Sequence, residues 1–463
     1  MKDRLSRLIE KSGGDYVEAR YHKRDEKLID ISKGEVEDVH SKLLAGVGIR
    51  VLKEGAWGFS STSKLNDKAL DKTLKKAEKS AEMCAQAKKE KIEGLREGKI
   101  AEGRYEAEVN DSAKNHSMEE KMKMVRENEE RIRKEDKISS GRCRWHEMHD
   151  DKFIVNSYGS EAELSDEKLV YYVQAFSLDN GERIQGREAK GVTGGWKDIF
   201  DEESPEEMAM GAVKDAQELL KADHPEGGRA TVVLNPELVA LLSHEAIGHT
   251  VEADWVLSGS IVKGKIGEKV ASEMVTLVDD GTATPHAGGW VPIDDEGSEA
   301  ERTEIIKDGV LKNYLCDRET ANILNMKPMG NSRAFEYSDQ PIVRMTNTFI
   351  DPGDRKPEEL VEEIDDGFYL EGAEGGQADA NAEFMFGVQK AYRIENGEKT
   401  DLLRGVSISG SAFDVLESVD AVADDFKLDM GAGYCGKIQM AKVDGGGPHI
   451  RCKAMIGGEQ EGK

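Results

Sequence analysis

Apolar and polar residues alternate from 138 to 194, and a period of two sustained over that length commits this part of the chain to β-structure. A helix, at about 3.6 residues per turn, would scatter the pattern around its surface, whereas strands sort it onto two faces. Strands are expected at 141–149, 152–157, 169–177 and 183–193. Val17, Ala19 and Tyr21 share one parity earlier in the chain, and Val47, Ile49 and Val51 mark another strand. Residues 46–62, turning at Lys53-Glu54-Gly55, read as a hairpin.

Helices punctuate these strands. A short one is expected at 3–10, where Leu5, Leu8 and Ile9 share a face before Gly13-Gly14. Leu70, Leu74, Ala77, Ala81 and Cys84 recur at steps of four and three, which predicts a long helix with Cys84 in the core. Residues 88–113 are polar and read as a connection. Ser117 with Glu120 forms a capping-box pattern opening a helix to about 134, and Ser204-Pro205-Glu206-Glu207 opens another. That helix ends before His224-Pro225-Glu226-Gly227-Gly228, where the domain boundary is placed. Beyond it the chain is rich in glycine and strands, with one conspicuous helix: Thr231 to Leu234 is a strand, Asn235 an N-cap, and Pro236 the first helical residue. The expected fold class is α+β, an N-terminal α/β domain (1–225) followed by a mainly β C-terminal domain (226–463) carrying that helix.

Charge narrows the function classes. With 65 basic and 92 acidic residues the net charge is -27, a surface that repels phosphate backbones and anionic lipid. No direct nucleic-acid partner is expected, and solubility is the plain reading of the charge. Met1-Lys2-Asp3-Arg4-Leu5 opens into a charged amphipathic pattern, and no stretch approaches the roughly 18 apolar residues of a membrane span, so no membrane association is expected. Cys84, Cys143, Cys316, Cys435 and Cys452 are odd in number and lack a CxxC pair, which points to a reducing cytoplasm rather than a disulfide framework.

The conspicuous helix contains Ser243-His244-Glu245-Ala246-Ile247-Gly248-His249. Two neutral imidazoles hold a metal, and an adjacent carboxylate takes a proton from metal-activated water, which is what a zinc hydrolase needs. The usual spacing is HExxH, on one helical face. Here the step of five turns about 140° around an ideal helix, so convergence requires a helix end or a distortion. A π-bulge supplies it, and Gly248 eases it.

Two histidines do not complete a site. Glu252 and Asp254 are carboxylate candidates for a third ligand, and Cys316 and Cys452 offer thiols. His449, near Cys452, is a candidate to line the site. Trp145-His146-Glu147-Met148-His149 also looks metal-binding, but on a strand His146 and His149 face opposite ways. His22, His40, His116, His224 and His286 stand alone and read as surface or loop residues. No GxSxG elbow or Walker-type loop appears.

At these residues the chain resembles the TldD/PmbA peptidases, sometimes described as modulators of DNA gyrase. His244 to His249 has their HExxxH form. Gly46-Val47-Gly48-Ile49-Arg50-Val51 with Gly55-Ala56-Trp57-Gly58-Phe59 is similar to their N-terminal hairpin. Asp294-Asp295-Glu296-Gly297, Gly309-Val310-Leu311, Gly330-Asn331-Ser332-Arg333, Arg344-Met345-Thr346-Asn347-Thr348 and Gly431-Ala432-Gly433-Tyr434-Cys435-Gly436-Lys437 are similar to segments of their C-terminal half, in order.

The resemblance implies a zinc metallopeptidase of the active, motif-bearing type. It implies His244, His249 and Cys435 as zinc ligands and Glu245 as the catalytic base. It further implies a two-subunit assembly, with a copy of this chain or a related inactive subunit, enclosing a site for unfolded or extended peptides. Asn331 and Arg333 look exposed and are read as substrate contacts or as a structural turn. The alternative is a non-catalytic partner subunit or interaction protein in which zinc is structural.

Overall fold

The computed structural model describes residues 1–379, 381–428 and 430–458. Among the described residues, β1 (Tyr16–Ser32), β2 (Glu35–Lys53), β3 (Ala56–Thr62), β4 (Glu102–Glu106), β5 (Ser140–Asn156), β6 (Glu161–Asp179) and β7 (Glu182–Thr193) form one seven-stranded sheet. Its order is β3–β2–β1–β5–β6, antiparallel throughout. The outer edge of β6 is shared. β4 runs parallel to its first residues, and β7 pairs antiparallel from Lys168 onward.

The alternation sorts residues onto two faces, but both faces are covered. β1 sends Val17 and Ala19 into an apolar cluster with Leu5, Leu8, Leu70 and Leu74. Its other face carries Glu18, Arg20, His22 and Arg24, also buried, against the C-terminal half of the chain. Lys152 Nζ lies 2.9 Å from Asp295 Oδ1. Arg50 pairs with both Glu18 and Glu296, and the Arg24 guanidinium sits over the Phe335 ring. Charges survive such burial because each finds an opposite partner. His22, expected at the surface, is therefore buried, with Nε2 2.9 Å from Asp150.

The expected helices form at Lys2–Lys11, Asp67–Ala87, Met118–Lys134 and Pro205–Leu219, the last two with complete capping boxes at Ser117 and Ser204. Cys84 is a correction. It is exposed, and Ala85 closes the buried stripe of its helix instead. The strands expected at 141–149 and 152–157 merge into one, Ser140–Asn156, and the polar connection after the second helix contains β4.

The C-terminal half is mainly β, as expected. β8 (Gly228–Leu234) lies between strands Asp366–Ala378 and Ile450–Gly457. Val406–Ser411 and Glu383–Glu395 continue the sheet, and Glu383–Glu395 pairs back with Asp366–Ala378 to close it. A second sheet has Leu277–Asp279 and Asn347–Ile350 at its centre. The helix starting at Pro236 is capped by the Asn235 side chain, which accepts from Leu238 N–H at 3.1 Å. Its Leu238, Val239, Leu242, Ala246 and Ile247 share one core with Leu277, Ile350, Phe386, Ile408 and Ile450. That shared core fixes the helix rigidly between the two sheets.

Candidate metal centre

The motif helix is regular over Pro236–Leu241, is wound as a π-helix over Leu242–Gly248, and resumes α geometry at His249–Val251. The His249 N–H donates to the carbonyl of His244, five residues back. The wider turn brings positions i and i+5 to one side. The two imidazole centroids lie 5.3 Å apart with planes at 82°, so their ring edges converge rather than stack.

A hairpin from the far end of the chain supplies a third group. Tyr434–Gly436 pairs with Met440–Lys442 and places Cys435 Sγ 3.2 Å from His249 Nε2. One donor atom each from His244, His249 and Cys435 lies within 4.8 Å of the others. Both ring nitrogens of His244 are buried without a hydrogen-bond partner, a costly state for an imidazole unless something is bound to it. Burial holds His244 well below its usual pKa, in the neutral, metal-binding form. Burial also opposes charge on His249, but hydrogen bonds with Cys435 and Glu252 outweigh it and push the ring up to about 10. Groups that favour a proton's charge there will favour a metal's. Two imidazoles and a thiol in this arrangement fit a divalent metal of borderline softness.

Comparison with known proteins gives the chain a family. The family model of the PmbA/TldA metallopeptidase C-terminal domain matches residues 227–458, that of domain 1 matches 17–81, and that of the central domain matches 111–220. The chain belongs to the PmbA/TldD metallopeptidase family. A metalloprotease of Methanothermobacter thermautotrophicus is 36% identical over 96% of both chains. A zinc metalloprotease TldD homolog of Saccharolobus solfataricus is 29% identical over 97% of this chain and 98% of its own. Among solved structures, a Thermotoga maritima protein described as a modulator of a DNA gyrase superposes with a TM-score of 0.79 at 25% identity, covering 98% of this chain and 99% of its own. As a member of this family the chain is a metalloprotease, and peptides are its substrate class.

In this PmbA/TldD chain two of the other candidates border the centre and the rest lie away from it. Glu245 is partly exposed, with Oε2 3.8 Å from His249 Nε2, and burial raises its pKa. Glu252, weighed as a third ligand, is fully buried and accepts from His249 Nδ1 at 2.9 Å. Asp254 pairs with Lys437. Cys316 and Cys452 are buried in the apolar core. His449 is held by Asp425 and Tyr369. His146 bonds Glu26 and Tyr434, while His149 faces Glu147 and Glu167 on the other side of β5. Asn331 and Arg333 are not exposed. Asn331 donates to Asp279, and Arg333 donates to the carbonyls of Met345 and Lys442. The residues that sequence reasoning missed are Glu252 in its actual place, Lys437 and Arg344. The short three-residue step from His249 to Glu252, just past the helix end, is the signal for the first.

Proposed function

We propose that this chain is a zinc metallopeptidase in which His244, His249 and Cys435 hold the metal and Glu245 is the general base. The convergence of three donor atoms within 4.8 Å, from segments far apart in sequence, carries the reading. When bound, zinc supplies a Lewis acid that polarises a peptide carbonyl and acidifies water to a pKa of roughly 7. Glu245, beside His249 and still reachable by solvent, takes the proton of the attacking water and returns it to the leaving amine. Burial that raises its pKa suits the first of these steps, because it makes the carboxylate a stronger base toward the water proton. Glu252 occupies His249 Nδ1 and leaves Nε2 for the metal.

Substrates are unfolded or extended peptides, which can pair as an added strand. The chain works in the cytoplasm, in keeping with its free cysteines, as a two-subunit assembly with a second copy or a related subunit. Its sequence divides into an α/β domain, 1–225, and a catalytic domain, 226–463.

Elemental analysis tests the site. About one zinc per chain is expected in the native protein, falling sharply in folded Cys435→Ser. Glu245→Gln should keep the metal and lose about 100-fold or more in peptide cleavage. Full cleavage by a zinc-loaded Glu245→Gln protein would defeat the mechanism.

A further inference from the structure

Cys435 reaches the two histidines on an element with little apolar support. Its hairpin pairs three residues with three, and among the described residues it joins no larger sheet. The apolar cluster around it consists of Cys435, Ala441 and Val443, and Ile438 at its turn is 86% exposed. An isolated two-stranded hairpin is marginal in water, so other contacts must hold this one in place.

Those contacts are polar: Arg333 donates to the Lys442 carbonyl, Phe335 N–H to the Gln439 side chain, and one set centres on Glu252. Lys437 Nζ lies 3.1 Å from Glu252 Oε2, the same oxygen that accepts from His249 Nδ1. It also lies 2.8 Å from Asp254 Oδ1 and donates to the Val343 carbonyl at 3.2 Å. Arg344 holds the hairpin by two of its carbonyls, donating to Cys435 O at 2.8 Å and Gln439 O at 2.6 Å, and its Nε is 3.9 Å from Glu252 Oε1. Glu252 follows the motif helix and is fully buried, so one carboxylate ties the histidine segment to the cysteine segment.

We propose that Lys437 is a positioning residue that latches the Cys435 hairpin onto Glu252 and so delivers the thiolate to the metal. The inference rests on the reading of Cys435 as a ligand. Its consequence is specific. Breaking the latch removes the sulfur from the coordination set while His244 and His249 stay in their helix.

Cobalt(II) substituted into metal-free protein reports this directly, because a bound thiolate gives a near-ultraviolet sulfur-to-cobalt charge-transfer band. The native protein should show the band and Cys435→Ser should lack it. Lys437→Met should lose most of the band and bind cobalt about 10–100-fold more weakly, the usual cost of removing an outer partner of a ligand. Lys437→Arg should recover much of both, and Ile438→Ala should match the native protein. A native band within twofold in Lys437→Met, at unchanged affinity, overturns the proposal and leaves the ligand assignment standing. Absence of the band in native protein overturns the assignment itself. Should Lys437→Met fail to fold, Asp254→Asn carries the test. Asp254 is 37% exposed in its side chain, and losing its charge should loosen the latch and weaken the band, whereas native intensity counts against the latch.

Discussion

Gly248 and Met345 pack so tightly that a β-carbon on Gly248 would overlap the Met345 sulfur. Gly248 has ordinary helical dihedrals, with φ -52° and ψ -48°, so close approach, not conformational freedom, requires glycine. Met345 is itself buried, and the Ser243 carbonyl bounds the other side of the same space. Gly248→Ala should therefore cost about 1–3 kcal/mol by overpacking, less up to about 1 kcal/mol of improved helix propensity. Because His249 is the next residue, metal affinity should fall by more than the loss of stability alone implies. Combining it with Met345→Ala should restore part of that affinity. Chelator competition and thermal unfolding on the same samples check both.

Gly58 makes a similar demand in the N-terminal sheet. It sits on β3 where the helix Asp67–Ala87 comes closest, and a β-carbon there would strike the backbone of Ala77 and Ala81. Backbone cannot swing aside as a methionine can. Gly58→Ala should cost about 3 kcal/mol, seen as a lower urea midpoint with an unchanged m-value, and should leave metal content untouched.

Metal removal should also be visible in stability. Native His244 has two buried nitrogens without partners, and a ligand bound only by the folded state stabilises it in proportion to the logarithm of its excess over Kd. At about a thousandfold excess that amounts to about 4 kcal/mol. Chelation should lower the Tm of native protein, zinc should restore it, and Cys435→Ser should show a much smaller difference between the two conditions.

How far the sequence foretold the structure depends on the range of each interaction. Asn235, Pro236 and the Ser117 and Ser204 boxes are decided within four residues, and their helices begin where expected. The five-residue step between His244 and His249 demanded a distortion, and a π-helix provides it. Cys84 and Ala85 differ by one step on the same helix, and a period of 3.6 does not choose between them. Asn331 and Arg333 read as surface because their partners, buried Asp279 and the carbonyls of Met345 and Lys442, are distant in sequence. His22 on β1 reads as surface for the same reason, since the half of the chain that covers that face comes later. Only the family resemblance points to Cys435, because nothing local ties it to the motif helix.

Glu188 offers a pH test away from the metal. Burial and the nearby carboxylates of Asp215 and Glu203 raise it to about 7, with Lys390 only partly offsetting them. It borders a cavity of about 800 Å³ that also receives Asp201, Glu202, Glu203 and Glu207, so ionisation places one more negative charge among several. A carboxyl whose folded pKa exceeds its unfolded value of about 4.3 binds its proton more tightly when folded. Its contribution is complete below the unfolded pKa and is lost as pH rises through about 7. Glu188→Gln cannot ionise and lacks this loss. Native and variant stabilities should therefore coincide near the unfolded pKa and diverge up to pH 8, with the variant more stable there by on the order of 1–3 kcal/mol. Urea unfolding at intervals across that range measures the divergence, and parallel curves would mean that Glu188 ionises as an ordinary surface carboxylate.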